Sequence, residues 1–66
     1  MEIIVNGQSL TVANGATVAA LLDQLKLAGK PVAVEVNRQL APRARHAEFG
    51  LSPGDRVEVV TLVGGG

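Results

Sequence analysis

The sequence predicts an α+β fold: a mixed sheet of four to five strands with one main helix packed across one face. Short segments at both ends of the chain alternate between apolar and polar residues, which is typical of half-buried strands. Between them lies one segment with apolar residues at helical spacing. A chain of 66 residues allows one domain. We expect residues 1–63 to form it and residues 64–66 to be a flexible Gly-Gly-Gly tail.

The first two strands are predicted to form a β-hairpin. Residues 2–5 are a short apolar segment, and Asn6-Gly7 favours the positive φ angles of a type I′ turn. The residues that follow, 8–13, alternate so that Leu10 and Val12 share one face. This face is expected to contribute to the core.

The main helix is predicted over residues 18–28. Thr17 is a candidate N-cap, because its hydroxyl can accept a hydrogen bond from a free amide of the first turn. Gly29 is placed to end the helix in a left-handed conformation, and Pro31 prevents its resumption. The apolar residues expected to face the sheet are Val18, Leu21, Leu22 and Leu25.

The middle of the chain predicts one long strand and one short strand. Residues 32–37 alternate as a strand, and a tight turn follows into a short strand at Leu40-Ala41. Pro42 has no amide hydrogen to donate, which favours an edge position for this short strand. Residues 43–49 are ambiguous and are interpreted as a helical turn, while Phe49 and Leu51 are expected to close one end of the core.

The last strand is predicted over residues 56–63, after the turn signal Ser52-Pro53-Gly54-Asp55. A hairpin, then a crossing helix, then strands that return beside the first is the ubiquitin-like β-grasp arrangement. In this arrangement the last strand runs in the middle of the sheet, parallel to the first. Its end is then expected to project the final glycines away from the body.

Apolar residues are also predicted on the sheet face away from the helix. Val60 and Leu62 alternate with the core residues of the last strand, and we expect Ile4 on the neighbouring strand to join them. Clustered apolar side chains on a solvent face commonly mark a partner site. We therefore predict a docking patch, comprising Ile4, Val60, Leu62 and Val63.

Composition argues against several classes of function. There is no cysteine, which excludes a disulfide scaffold, a thiolate nucleophile and a cysteine metal site. The one histidine, His46, has no nucleophile or carboxylate pattern around it and is interpreted as a surface residue. No catalytic residue, metal site or bound cofactor is therefore expected.

Charge and hydropathy set expectations about partners. The net charge is zero and no run of Lys or Arg is present, so no nucleic-acid partner is expected. No apolar run approaches the roughly 20 residues that span a membrane, and no signal peptide is visible. We expect no membrane association and a cytoplasmic location.

Taken together, these features resemble the ThiS family, the ubiquitin-like sulfur-carrier proteins of thiamin (thiazole) biosynthesis. The likeness extends over the whole chain. Members often carry Trp shortly after the Pro-Arg pair, where this chain has Arg45-His46, a difference that we interpret as one of surface packing. The most specific segments are Val34-Glu35-Val36-Asn37, Pro42-Arg43, Leu51 with Gly54-Asp55, Val57-Glu58-Val59-Val60 and the terminal Gly65-Gly66.

The resemblance implies chemistry at Gly66. An E1-like adenylyltransferase of the ThiF type, using ATP and Mg, would convert the Gly66 carboxylate to an acyl adenylate. Sulfur supplied through a cysteine desulfurase would then give a thiocarboxylate, and a thiazole synthase of the ThiG type would accept the sulfur. Gly64 and Gly65 would thread into the partner's active site, and Arg43 is a possible partner contact. The chain would be a protein co-substrate and not an enzyme.

Two alternatives remain open at this point. The chain could be another carrier of the same type, either a molybdopterin-synthase small subunit or a ubiquitin-like modifier. That subunit is usually longer and tends to have prolines before its Gly-Gly, where this chain has residues 61–63, Thr-Leu-Val. The chain could also be a non-covalent β-grasp binding or regulatory module, which would need no free Gly-Gly end.

Overall fold

The computed structural model describes residues 1–62, which form a five-stranded mixed sheet with one α-helix on one face. The strands lie in the order β2-β1-β5-β3-β4, with β5 parallel to β1 and antiparallel to β3. The predicted α+β, β-grasp arrangement with a central last strand is confirmed. In chain order the elements are β1 (Glu2–Val5), β2 (Gln8–Thr11), α1 (Val18–Gln24), β3 (Val32–Val36), β4 (Gln39–Leu40), a 3₁₀ turn (Arg43–Arg45) and β5 (Arg56–Thr61).

The predicted domain boundary at residue 63 and the predicted tail, residues 64–66, lie outside the described part of the chain. The described part is held by an aliphatic core between α1 and the inner sheet face. Its members come from α1, from the three inner strands β1, β5 and β3, and from segments that follow β2 and β4 or precede β5. The core residues are Ile3, Val5, Val12, Val18, Leu21, Leu22, Val32, Val34, Val36, Ala41, Leu51, Val57 and Val59.

Both β-hairpins turn through two residues with positive φ. Asn6 (50°) and Gly7 (82°) join β1 to β2, as the sequence predicts. Asn37 (51°) and Arg38 (68°) join β3 to β4. The second turn has no glycine, so the backbone of Arg38 adopts a conformation that costs a non-glycine residue free energy.

Helix α1 begins as predicted but ends earlier. Thr17 is the N-cap, and its Oγ1 accepts a hydrogen bond from the Ala20 amide at 3.2 Å. The helix ends at Gln24, four residues before the predicted end at residue 28. The predicted role of Gly29 as the residue that ends the helix is therefore wrong.

Lys26 ends the helix in place of Gly29. Its φ is 62°, and its amide donates to the Asp23 carbonyl at 3.0 Å. The Leu27 amide donates to the Leu22 carbonyl at 2.7 Å. This pair of bonds defines a Schellman motif, and Leu27 packs against the core as that motif favours.

Candidate functional site

The candidate site is the outer face of the sheet, defined as the face away from α1, where β5 leaves the body. Leu62 continues the pairing of β5 beyond its last residue, because its amide donates to the Pro31 carbonyl at 2.9 Å. The backbone is therefore fixed up to Leu62. Val63, predicted for the docking patch, and the predicted site residues Gly64, Gly65 and Gly66 lie outside the described residues.

Three large apolar side chains are strongly exposed within residues 1–62. They are Leu40 (63% exposed), Val60 (55%) and Leu62 (51%). Val60 alternates with buried Val57 and Val59, so it lies on the outer face, and Leu62 continues the same alternation. The positions predicted for Val60 and Leu62 are confirmed; their role as a docking patch remains a prediction.

Leu40 shares this face, although alternation along the sequence alone does not predict it. It lies directly opposite Glu35, an exposed residue between the buried Val34 and Val36. Directly opposed residues in an antiparallel pair project to the same face. The two-residue turn at positions 37–38 sets this register. Recognising that turn in the sequence would have placed Leu40 on the outer face.

Ala33, which is half-buried, lies directly opposite Val60, whereas the residue opposite Leu40 on β3 is Glu35. Ala33 and Leu40 are therefore diagonal neighbours on the outer face, and Glu35 lies beside both. We call the four residues Leu40, Ala33, Val60 and Leu62 the outer strip. It runs from the sheet edge at β4 to the point where the chain leaves the body.

Ile4 does not adjoin the outer strip. It is half-buried and lies opposite Arg56 in the parallel β1–β5 pair. Val60 is four residues further along β5, which corresponds to roughly 13 Å of strand. The register of β1 against β5 therefore separates Ile4 from the patch that it was expected to join.

Charged residues border the outer strip. Glu35 and Glu58 lie directly opposite each other on neighbouring strands, and both are exposed. Arg56 occupies the next outer-face position along β5. Within residues 1–62 the sole ion pair joins Arg45 and Glu48 at 4.0 Å, so no cation of this region pairs with either opposed glutamate.

Two asparagine side chains fix the position of β5. Asn6 Oδ1 accepts from the Val59 amide at 2.9 Å, and its Nδ2 donates to the Val59 carbonyl at 3.1 Å. Asn37 Oδ1 accepts from the Arg56 amide at 3.0 Å, and its Nδ2 donates to Asp55 Oδ1 at 3.0 Å. Both strand neighbours of β5 are thus tied to it at their turns, which orients the outer strip.

His46 is buried, so its interpretation as a surface residue is wrong. It is only 8% exposed, and its Nε2 lies 2.9 Å from the Ala41 carbonyl oxygen. Its own carbonyl accepts from the Ala19 amide at 2.9 Å. His46 therefore joins the end of β4 to the first turn of α1, and the interpretation of Arg45-His46 as a surface packing difference is corrected as well.

Three further sequence predictions concern the contact residue Arg43, metal-ligand groups and membrane-spanning helices. Arg43 is exposed at the start of the 3₁₀ turn, and its predicted partner contact stays a prediction. Residues 1–62 contain no group of three or more His, Asp or Glu side chains placed to hold a metal ion. No helix in this described region is long and apolar enough to cross a membrane.

Comparison with known proteins agrees with this architecture. The family model for ThiS matches residues 3–66. The chain belongs to the ThiS family. The resemblance predicted from the sequence is confirmed, and the match extends into the C-terminal residues.

Individual relatives give the same result. The sulfur carrier protein ThiS of Escherichia coli K12 is 33% identical over 66 residues, which cover all of both chains. A crystal structure of the thiamine biosynthesis protein ThiS from Geobacter metallireducens superposes with a TM-score of 0.84, at 36% identity over all of both chains.

A thiazole synthase of Paramagnetospirillum magneticum is 35% identical over 66 residues. This match covers all of the present chain but only 20% of that protein. The chain therefore spans about one fifth of this relative's length and the full length of the two ThiS proteins.

Proposed function

We propose that this chain is the sulfur carrier of thiamin biosynthesis and that the Gly66 carboxylate is the group that carries sulfur. The observation that supports this most is the full-length match to ThiS proteins, including the residues after β5. The fold adds a physical reason. β5 is central in the sheet, and its course is fixed as far as Leu62, so the residues that follow leave from a defined point.

The proposed chemistry begins with activation of the Gly66 carboxylate. A carboxylate is a poor electrophile until it gains a leaving group, and a ThiF-type adenylyltransferase would supply AMP from ATP and Mg. A persulfide formed by a cysteine desulfurase would displace AMP through its outer sulfur to give an acyl disulfide. A thiol acting as reductant would then cleave the S–S bond, leaving the thiocarboxylate on this chain and a disulfide on the donor side. The chain has no cysteine, so it cannot carry sulfur as a persulfide of its own.

In this proposal the chain itself binds no cofactor and supplies no catalyst. Gly64 and Gly65 bring the reactive group into the partner's active site. Three glycines span about 10 Å at 3.3–3.6 Å per residue, and they lack the Cβ atoms that would widen the segment. Fixing them in a channel costs on the order of 3–6 kcal/mol of conformational entropy.

The folded body must supply binding free energy to offset that cost. The outer strip is suited to this, because Val60 and Leu62 are exposed at the end of β5 and Leu40 is exposed on the same face at the sheet edge. We propose that Val60, Leu62 and Leu40 contact the partner enzymes. Val63 and Arg43 complete the set of proposed contacts, and Ile4 contributes only if a partner reaches across Arg56.

A thiazole synthase is the proposed sulfur acceptor. In the relative from Paramagnetospirillum magneticum, a segment similar to this whole chain occurs within a thiazole synthase. Joining of two activities in one polypeptide favours a partnership between their separate counterparts. A cytoplasmic location, where ATP and thiolate donors are available, forms part of the same proposal.

A reconstituted transfer assay tests this function. The chain is loaded with sulfur and then supplied either to purified thiazole synthase or to the large subunit of molybdopterin synthase. We expect thiazole formation with the first enzyme and no product with the second. Sulfur transfer only to molybdopterin synthase would contradict the assignment to thiamin biosynthesis.

A further inference from the structure

The outer face carries a pair of like charges that forms no ion pair within the described residues, with Arg56 as the nearest cation along β5. Glu35 and Glu58 are directly opposed on β3 and β5, which places their Cβ atoms about 4.5–5.5 Å apart. Like charges in this arrangement destabilise a sheet. The one ion pair among residues 1–62, between Arg45 and Glu48, involves neither of them.

The two carboxylates adjoin the outer strip. Glu35 lies opposite Leu40 and two residues from Ala33, while Glu58 lies two residues from Val60. Glu35 therefore lies between Leu40 and Glu58, and an incoming surface that covers both Leu40 and Val60 would meet both carboxylates.

We propose that the outer strip docks on thiazole synthase and that an Arg or Lys side chain of that enzyme lies between Glu35 and Glu58. This proposal rests on the proposed function. A cation between the two carboxylates would remove their mutual repulsion and gain two charge-assisted hydrogen bonds. Charge complementarity of this kind also accelerates association and selects the correct partner.

A relative of this chain links it to thiazole synthase more directly than to any other partner enzyme. A segment similar to this chain lies within a thiazole synthase of Paramagnetospirillum magneticum. Two parts that occur in one polypeptide must meet if sulfur passes between them, so thiazole synthase is the partner whose surface the outer strip would contact.

The test compares two double variants in binding to purified thiazole synthase. Glu35→Gln with Glu58→Gln removes the opposed charges, whereas Glu2→Gln with Glu48→Gln removes the same charge from exposed positions elsewhere. By isothermal titration calorimetry we expect the first variant to bind roughly tenfold more weakly than the wild type and the second to bind within twofold. Raising the salt concentration should reduce the difference between the first variant and the wild type.

The unfolding temperature is a second measurement, and we expect it to rise in the variant whose binding falls. Because the charges repel in the free chain, the Glu35→Gln, Glu58→Gln variant should unfold at a temperature roughly 1–3 °C higher than the wild type. A variant that is more stable but binds more weakly is what the proposal requires. A loss of binding together with a loss of stability would instead indicate a folding defect and would overturn it.

Sulfur loading of the wild-type chain separates this proposal from the proposed function. A wild type that accepts sulfur at its C-terminus but binds thiazole synthase no better than the Glu35→Gln, Glu58→Gln variant overturns the docking proposal alone. The same holds if the loaded wild type shows no binding. A wild type that accepts no sulfur from a competent adenylyltransferase and sulfur donor overturns the proposed function itself.

Discussion

The side-chain amide of Asn6 is hydrogen-bonded to both backbone groups of Val59, at 2.9 Å to the amide and 3.1 Å to the carbonyl. β1 ends at Val5, so β5 loses its strand neighbour on that side beyond Val57. Asn6 takes the place of the missing neighbour. The turn that closes the first hairpin thereby also holds the central strand from which the reactive tail is proposed to leave.

Replacing Asn6 by glycine should destabilise the fold by about 1–2 kcal/mol, because two hydrogen bonds to Val59 are lost. Glycine tolerates the positive φ at this position, so the change isolates the side chain. The measurement is the free energy of unfolding from urea denaturation. Asn14→Gly, in the exposed loop before α1, is the control and should change it by less than about 0.5 kcal/mol. Equal stabilities of the two variants would show that the Asn6 bonds contribute nothing.

Replacing Lys26 by glycine should stabilise the protein by about 0.5–1 kcal/mol. Lys26 has a φ of 62°, a conformation that glycine adopts without steric cost. Lys30→Gly serves as the control, because Lys30 is not among the residues with positive φ. That change should be neutral or destabilising, since it only adds freedom to the unfolded chain. Thermal unfolding of the two variants decides the matter, and a destabilised Lys26→Gly protein would be inconsistent with the Schellman motif.

Truncating His46 to alanine should cost about 1–3 kcal/mol. The change leaves the Ala41 carbonyl without its donor and empties the buried space that the imidazole ring occupies. His46→Gln places an amide donor close to the position of Nε2 and should recover part of the loss. Chemical denaturation of both variants measures this, and the idea fails if alanine and glutamine are equally stable.

Most of the architecture follows from patterns that the sequence displays. Alternation and the Asn6-Gly7 turn define the first hairpin, and Thr17 marks the start of α1. The end of α1 is different. The rule that favours glycine points to Gly29, whereas contact of Leu27 with the core fixes the last turn and forces Lys26 into the left-handed conformation. Tertiary packing therefore sets the end of α1, and the local sequence pattern does not predict it.

The sequence predicts the candidate site only in part, because alternation gives the face of a residue but not the register between strands. Alternation along one strand identifies the face of Val60 and Leu62. Alternation does not give the register between two parallel strands, so it does not predict that Ile4 lies opposite Arg56. The face on which Leu40 lies depends on the register of β4 against β3. The two-residue turn that sets this register contains no glycine, so the sequence does not reveal the turn type. His46 was misplaced because its polarity suggests the surface, while its ring finds a partner at Ala41.

Introducing a charge into the outer strip should weaken partner binding and leave the fold intact. Val60→Asp places a carboxylate on an exposed apolar position, so we expect binding to the adenylyltransferase and to thiazole synthase to fall by roughly tenfold or more. Thr61→Asp, the neighbouring exposed residue on the other side of the strand, is the matched control. Pulldown reports binding, and far-UV circular dichroism should remain native for both. Unchanged binding of Val60→Asp would refute the docking role of the strip.

The proposal for Gly66 is tested most directly by intact mass spectrometry of the chain after incubation with ATP, Mg, the adenylyltransferase and a sulfur donor. We predict the mass change for replacement of one oxygen by one sulfur, located in the C-terminal fragment. A variant with one residue added after Gly66 should show no change, because the proposed threading of the tail requires the chain to end in Gly65-Gly66. A wild-type mass that stays the same under conditions in which a known carrier is loaded would contradict the account.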